Sequence, residues 1–270
     1  MDPTPPFRLR WASINNKRQM INDISTKKVI LIDKPVNWTS FDVVAKVRSA
    51  LSKQLSLLRK ASGGQAVNRK QANGKEQIAN STRKRLCVGH SGTLDPFATG
   101  LLIVLVGDAT KRQDEFMKLD KEYEATLQLG YTSTTGDPEG TIMKMSNVKT
   151  QMPNEIQINK ILKKFIGETE QIPPKYSAIK VKGKKAYELA RAGKEVNLKP
   201  RTINIYQITV TKYQFPELHL IIRCGSGTYI RTLTEDIGKA LGTGAYLTAL
   251  RRTKIGDFDV KDAKNINDVA

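Results

Sequence analysis

Gly-His-Ser-Gly-Thr-Leu-Asp-Pro occupies residues 89–96, just before the apolar run Leu-Leu-Ile-Val-Leu-Val at residues 101–106. The two glycines of the octapeptide favour a turn, and the apolar run predicts a buried strand. The octapeptide therefore presents a single acid, Asp95, at the entrance to a strand, where a carboxylate can act as a nucleophile. Taken alone, an Asp-Pro pair is equally typical of a turn without a chemical role.

The composition narrows the class of protein. The chain has 270 residues, of which 39% are hydrophobic, enough for one large domain or two ordinary ones. It carries 45 Lys and Arg against 26 Asp and Glu, a net charge of +19. This charge suits a polyanionic partner, with nucleic acid favoured over an anionic membrane. No apolar run approaches the ~20 residues of a membrane span and no secretory leader is evident, so we expect an intracellular protein, with nucleus, cytoplasm or mitochondrion left open.

The cysteines and histidines are too few for a convincing metal site. The only candidate zinc set combines Cys87 and His90 with His219 and Cys224. Cys87 and His90 have ligand-like spacing, but the other two lie five residues apart in a predicted strand, so their side chains point to opposite faces. We therefore expect no metal, and we interpret both cysteines as small core residues.

The two ends of the chain are predicted to lie outside the main domain. Residues 1–27 lack hydrophobic periodicity and contain three prolines, so they are expected to form a disordered tail. One catalytic domain is expected over residues 28–256, followed by a C-terminal tail at 257–270. Ser40 is predicted to be the N-cap of a helix whose apolar stripe is Val44, Val47 and Leu51.

A basic segment interrupts this domain. Residues 53–85 contain nine basic residues against the single acid Glu76, with Gln, Asn, Gly and Ser between them. Such a composition predicts a disordered, positively charged insertion on the surface. It is either a tolerated loop or an element that attracts RNA without selecting it.

The remaining pattern predicts an α+β fold. Amphipathic helices are expected near residues 158–166, 185–192 and 230–241, and strands at 29–32, 124–129, 203–211 and 218–224. Because strands outnumber helices and most connections are short, we expect a mixed, largely antiparallel sheet.

Several further motifs follow one another in a fixed order along the chain. These are Asp33-Lys34-Pro35, Gly100-Leu101-Leu102, Gly107-Asp108-Ala109-Thr110-Lys111, Lys121-Glu122-Tyr123, Pro173-Pro174-Lys175-Tyr176-Ser177-Ala178, Gly227-Thr228-Tyr229-Ile230-Arg231-Thr232-Leu233 and Leu250-Arg251-Arg252-Thr253. Together with the octapeptide they resemble the TruB family of pseudouridine synthases, over about residues 28–256. The resemblance implies the pseudouridine synthase fold, a curved sheet flanked by helices with a central active-site cleft. It also implies that uridine 55 in the T-loop of tRNA is isomerised to pseudouridine.

The resemblance assigns a role to each member of a catalytic set. Asp95 is the nucleophile, with attack on the ribose or on the base left open. Arg231 would keep that carboxylate ionised through two parallel hydrogen bonds, and Tyr123 would stack on the flipped uracil. Without the resemblance, Arg231 would be interpreted as a surface charge and Tyr123 as a half-buried strand tyrosine. The reaction has no net redox change and loses no group, so no cofactor is expected.

A second set is expected to bind the substrate. By resemblance, His90 packs against the rearranged RNA loop, and Tyr229 and Leu250 form apolar walls of the uracil pocket. A basic segment at residues 175–202 is expected to close over the RNA and contact its phosphates. Within this segment, Lys180, Lys184 and Arg201 are expected to make the phosphate contacts.

Two other functions remain open from the sequence. A guide-RNA-dependent enzyme of the dyskerin type shares the octapeptide, and a non-catalytic tRNA chaperone would have the same fold. The expected partner is tRNA T-loop RNA, and binding of mRNA stem-loops is left open. The protein is expected to be a monomer without membrane association. Only 18 residues follow Arg252, so we expect no C-terminal PUA domain in this sequence.

Overall fold

The computed structural model describes residues 27–61, 86–146, 152–177, 179–181 and 183–269. The strands in these ranges are β1 (Lys27–Lys34), β2 (Val88–His90), β3 (Thr99–Gly107), β4 (Lys121–Leu129), β5 (Tyr131–Ser133), β6 (Ile142–Lys144), β7 (Gly167–Gln171), β8 (Lys180–Val181), β9 (Lys184–Lys185), β10 (Arg201–Gln214), β11 (Glu217–Cys224), β12 (Ala245–Ile255), β13 (Phe258–Asp259) and β14 (Lys264–Asn265). The α-helices are α1 (Ser40–Ala61), α2 (Gln113–Lys118), α3 (Glu155–Leu162), α4 (Ala186–Arg191) and α5 (Ile230–Leu241). None of the described helices is long and apolar enough to cross a bilayer.

One large sheet organises the molecule. Its strand order is β14-β1-β3-β12-β4-β11-β10-β7, with β2 added to β3 and β13 added to β12. The β1/β14 and β3/β12 pairs are parallel and the other pairs are antiparallel. The strands β5 and β6 form a separate ribbon, as do β8 and β9. The predicted α+β class with a mixed, mostly antiparallel sheet is confirmed.

The apolar run at residues 101–106, which follows the octapeptide, forms the fully buried part of strand β3. Residues 101–106 of β3 are each 0% exposed. Leu102 and Val104 pack with α1 in one hydrophobic cluster, and Leu101 and Ile103 pack with Phe116 of α2 in another. Since both faces of β3 are covered, each of residues 101–106 is apolar, and polar and apolar residues do not alternate there.

The central strands have one covered face. Leu127 of β4 and Leu220 of β11 lie in one buried cluster with Ile158 of α3 and Leu233 of α5. The alternate positions, such as Thr126 of β4, lie on the other face of the sheet. Helix α5 therefore begins close to the covered face, which brings its first turn toward the loop between β2 and β3.

The start of α1 differs from the prediction. Thr39, and not Ser40, caps the helix, because the Thr39 hydroxyl accepts from the Asp42 N–H and the Asp42 carboxylate accepts from the Thr39 N–H. The Ser40 hydroxyl instead accepts from Leu94 N–H at 2.9 Å and donates to Leu94 O at 3.2 Å. Ser40 thus joins α1 to the octapeptide.

The predicted insertion begins later than expected. Residues 53–61 continue α1, because Leu51 and Leu55 extend the apolar stripe and are only 5% and 7% exposed. Residues 62–85 of the insertion, like 1–26 of the N-terminal tail, lie outside the described residues.

Residues 257–269 also differ from the predicted tail. Strand β14 pairs with β1 in parallel, and Ile266 is 2% exposed in the cluster formed with α1. Strand β13 pairs with β12, and Phe258 and Val260 pack against the cluster that contains Phe116, so strand pairing and apolar burial hold this segment on the domain. Cys224 is buried as predicted, whereas Cys87 is exposed, so its interpretation as a core residue was wrong.

Candidate active site

A buried lysine is hydrogen-bonded to the loop that carries Asp95. Lys34 at the end of β1 is 0% exposed, and its ammonium donates to three carbonyl oxygens, those of Pro35 at 2.9 Å, Trp38 at 2.6 Å and Pro96 at 3.1 Å. Burial lowers the pKa of Lys34 to about 8, and the charge of Asp95 opposes this shift. The residue after Asp95 therefore has a fixed position relative to β1.

Asp95 and Arg231 form a two-point ion pair. Arg231 Nε lies 3.0 Å from Asp95 Oδ2, and Arg231 Nη2 donates to Asp95 Oδ1 at 3.2 Å. The Arg231 side chain is 6% exposed, whereas that of Asp95 is 32% exposed. The carboxylate is thus held from the protein side while part of it stays open to a substrate.

A second carboxylate contacts the same guanidinium. Arg231 Nη1 donates to Asp137 Oδ2 at 3.1 Å and to Thr135 O at 3.2 Å, and Nη2 donates to Tyr176 O at 2.8 Å. With the two oxygens of Asp95, five oxygen atoms surround the five N–H groups of one buried arginine. Asp137 is itself 3% exposed and accepts from Thr135 Oγ1 and the Glu139 N–H, so this network fixes the plane of the guanidinium.

The groups around Asp95 shift the pKa of its carboxyl group. Burial raises the pKa of Asp95 above its ordinary value, and the charge of Asp137 adds to the increase. Arg231 and Lys34 act in the opposite direction. Arg231 is therefore the main group that favours the ionised form of this carboxylate.

Tyr123 lies on the covered face of the sheet, near the pair. It is 8% exposed and lies across the strand ladder from Arg252 of β12. Burial raises the pKa of the Tyr123 hydroxyl, and the charge of Arg252 opposes that shift. Arg252 is 1% exposed and donates to Leu101 O at 2.8 Å and to Gly92 O at 3.1 Å. It therefore connects β12 with β3 and with the octapeptide.

Gly100 is required for this close approach of β3 and β12. Its φ of +101° is unfavourable for other residues, and an added Cβ would lie 2.3 Å from the Arg252 carbonyl oxygen. The glycine of the Gly100-Leu101-Leu102 motif thus allows the backbone of Arg252 to pack beside the Asp95 loop.

The other predicted site residues fall into two groups. Tyr229, just before α5, is fixed by Gln171, which accepts from the Tyr229 N–H at 2.8 Å and donates to its carbonyl at 3.1 Å. Leu250 is 7% exposed and belongs to the same buried cluster as Tyr123. His90 ends β2, and burial lowers its pKa. His90 belongs to the octapeptide that carries Asp95, Tyr229 directly precedes α5, and Leu250 shares a buried cluster with Leu94 and Ile230.

The basic candidates lie further out. Lys180 and Lys184 are exposed on the β8/β9 ribbon, and Arg201 is exposed at the start of β10. Arg201 pairs with Gln171 across β10 and β7, which places it beside Tyr229. Among the described residues, no three His, Cys, Asp or Glu side chains group together as a metal site would require.

Two family models match adjacent regions of the chain, and Asp95 and Arg231 fall in different regions. A model of the TruB family pseudouridylate synthase N-terminal domain matches residues 80–230, and a model of the tRNA pseudouridylate synthase B C-terminal domain matches residues 231–270. The chain belongs to the TruB family. Asp95 lies in the first of the two matched regions, and Arg231 is the first residue of the second.

Individual members of the TruB family resemble the chain over most of its length. The tRNA pseudouridine synthase B of Phocaeicola vulgatus is 41% identical over 239 residues, covering 88% of this chain and 90% of that protein. That of Parabacteroides distasonis is 42% identical over 235 residues, covering 87% of this chain and 88% of that protein.

Solved structures confirm the fold. A chain of a Cbf5-Nop10-Gar1 complex matches 95% of this chain with a TM-score of 0.61 and 26% identity. A chain of an H/ACA RNP bound to a substrate RNA containing 2'-deoxyuridine matches 99% with a TM-score of 0.59 and 25% identity. The TruB-family chain spans 55% and 59% of the lengths of these two solved chains.

Sequence reasoning missed three residues that build the site. Asp137 lies in none of the motifs, and Lys34 and Arg252 occur in motifs without an assigned role. A buried arginine has five donors to satisfy, so the prediction of Arg231 beside one carboxylate already required further acceptors. An acid within a glycine-rich turn was the available signal for Asp137.

Proposed function

We propose that the protein is a tRNA pseudouridine synthase that isomerises uridine 55 in the T-loop, with Asp95 as its nucleophile. The observation that carries the proposal is the two-point contact between Asp95 and the buried Arg231. Membership of the TruB family and relatives named tRNA pseudouridine synthase B support the choice of reaction and RNA class.

The reaction is balanced within the substrate. The bond between ribose C1' and uracil N1 breaks, the base turns, and a bond between C1' and uracil C5 forms. The proton on C5 leaves and N1 gains a proton, so no atom is lost. The bond that the Asp95 carboxylate forms to the ribose or to the base breaks again within the same turnover, which regenerates the carboxylate. Asp95 supplies the charge, and Arg231 favours its ionised form against the effect of burial on its pKa.

The target base must leave its stack to reach Asp95. The Tyr123 ring is the proposed platform for the flipped uracil, and Tyr229 and Leu250 are its proposed neighbours. Tyr229 and Arg231 are two residues apart and each is fixed by its own hydrogen bonds, so both have a defined position at the start of α5. Such preorganisation favours a base placed over the carboxylate.

The RNA is held outside this pocket mainly through its phosphates. Lys180, Lys184 and Arg201 are exposed and lie on elements next to the site, and the chain has a net charge of +19. Cations of this kind position an RNA without reading its bases. His90 is proposed to pack against the loop from which the uridine has been extruded.

The identities support a tRNA enzyme over an enzyme of the ribonucleoprotein type. The two tRNA pseudouridine synthase B relatives are 41% and 42% identical, whereas the matched chains from the Cbf5 and H/ACA complexes are 26% and 25% identical. The presence of the acid, the arginine and the tyrosine supports an enzyme over a chaperone without turnover.

The test uses the full chain, its Asp95→Asn variant and a transcribed tRNA. Pseudouridine mapping after incubation is expected to show conversion at position 55 with the unaltered chain and none with Asp95→Asn. RNA binding should change by no more than several-fold, because the substitution conserves volume in a site that grips phosphates. A tRNA with cytidine at position 55 is the substrate control. Substantial turnover by Asp95→Asn, or product at other positions only, would contradict the proposal.

A further inference from the structure

Phe41 is an exposed aromatic residue at the rim of the site. It lies in the first turn of α1 and is 65% exposed. Its neighbour Ser40 is bonded to both backbone polar groups of Leu94, one residue before the nucleophile. The backbone that carries Phe41 is therefore joined to the loop that carries Asp95.

The ring takes part in a row of aromatic and cationic side chains. Phe41 meets the His90 ring edge-on, with centroids 5.5 Å apart and an interplanar angle of 85°. Lys185 Nζ lies 5.7 Å from the centroid of Phe41 and 5.4 Å from that of Tyr187, and Arg191 Cζ lies 5.8 Å from Tyr187. We call these five residues the Phe41 row. It connects α1, β2 and the basic segment around α4.

The stability of α1 does not explain a phenylalanine at this position. The helix is capped by Thr39 and Asp42, and its core stripe is formed by other residues, among them Val44 and Val47. An exposed ring leaves apolar surface in water and gains little from burial. A single exposed apolar residue is common, and Leu57 of α1 is equally exposed at 65%. Phe41 differs from Leu57 in having a π-face, adjacent cations and a position beside the octapeptide.

An aromatic face next to cations is suited to an unpaired nucleotide. Proteins that recognise RNA loops stack unpaired bases on aromatic rings, and neighbouring lysines or arginines contact the phosphates. Lys185 is already beside the Phe41 ring, and Lys184 is exposed next to it in the chain. A double-stranded stem offers no unstacked base to such a ring.

We propose that the Phe41 ring is a stacking platform for an unpaired loop nucleotide other than the target uridine. The proposal rests on the proposed function, because it assumes that an RNA loop occupies the cleft beside Asp95. The nucleotide that stacks on Phe41 would be held at the rim while the target base occupies the pocket near Tyr123. Phe41 would thus contribute to selecting a folded loop over a plain duplex.

The first experiment measures binding of the full chain and four variants by fluorescence anisotropy. The RNAs are a T-arm hairpin and a duplex of its stem alone. Phe41→Ala and Phe41→Leu should raise the hairpin Kd about five-fold or more, from a stack of about 1 kcal/mol, and Phe41→Trp should retain affinity. Leu57→Ala is the matched control and should leave the Kd unchanged. The duplex Kd should be the same for all of them, and thermal unfolding checks that each variant folds.

The second experiment identifies the nucleotide. Hairpins are prepared with one loop nucleotide at a time made abasic, and the effect of Phe41→Ala is measured on each. Because the stack needs both partners, the effect should disappear with a single abasic hairpin and persist with the others. The proposal is overturned if leucine replaces phenylalanine without loss, if the duplex is weakened equally, or if the effect persists with every abasic hairpin.

Pseudouridine formation by the unaltered chain is measured on the same hairpin. Product together with Phe41-independent binding would reject the stacking role and leave the proposed function intact. Loop-selective binding that depends on Phe41, without product, would reject the proposed function and leave Phe41 as an RNA-binding residue.

Discussion

Replacing Asp137 by asparagine tests whether the second carboxylate on Arg231 is needed to present Asp95. Asp137 is 3% exposed and contacts Arg231 Nη1 at 3.1 Å through Oδ2. Its other oxygen accepts from Thr135 and from the Glu139 N–H. Asparagine conserves the volume and can conserve this second set of bonds. It removes the charge and the acceptor that face the guanidinium.

The expected loss follows from one charge-assisted hydrogen bond. Such a bond contributes about 1.5–3 kcal/mol, and a loss of about 2 kcal/mol in the transition state would lower the rate about 30-fold. RNA affinity should change much less, because the proposed phosphate contacts are made by exposed cations and not by Asp137. Single-turnover conversion of a T-arm hairpin at saturating enzyme measures the chemical step.

The pH dependence separates this role from a general structural defect. The charge of Asp137 raises the pKa of Asp95, so its removal should lower that pKa. The proposed reaction needs ionised Asp95, so the acid limb of the pH–rate profile should move to lower pH while the plateau rate falls. A variant that is only partly folded would lose rate at every pH without this movement. The control is Asp236→Asn, which changes an exposed acid on α5 whose charge partner is Lys239. It should leave the plateau rate and the acid limb of the pH–rate profile unchanged. A full rate in Asp137→Asn, or an acid limb moved upward, would refute the reasoning.

Two further substitutions test the platform and the connection of α1 to the octapeptide. Tyr123→Phe should retain RNA affinity because it keeps the ring that is the proposed platform for the base, whereas Tyr123→Ala should lose about 1–3 kcal/mol of binding free energy in the same anisotropy assay. Equal affinity of the two variants would exclude stacking on this ring. Ser40→Ala removes both bonds to Leu94 at a 1% exposed position, so chemical denaturation should show a loss of about 1–3 kcal/mol. Ser56→Ala, a change of an exposed serine on α1, should leave stability unchanged, and an equal loss in both variants would contradict the role of Ser40.

Local patterns in the sequence were enough to predict most strands and helices of the fold. The continuous apolar run of β3, the alternation of β4 and the helical stripe of α5 each reflect which face of a single element is buried, and that information is local. The ordered motifs were likewise enough for the TruB family and for the choice of Asp95 as the candidate nucleophile. The position of the helix cap was missed by one residue, because Ser40 was engaged by Leu94 and its neighbour Thr39 was free to cap.

The tertiary structure alone decided how the site is held. Arg231 is 136 residues from Asp95 and 94 from Asp137, and they meet because the order of the sheet brings the start of α5 to the loop before β3. The same order lets residues 264–265 pair with β1, although their sequence has no strand signal of its own. Periodicity reports the burial of one element, whereas the pairing of distant charges depends on which strands become neighbours. That choice is made by packing across the whole sheet, and no local pattern records it.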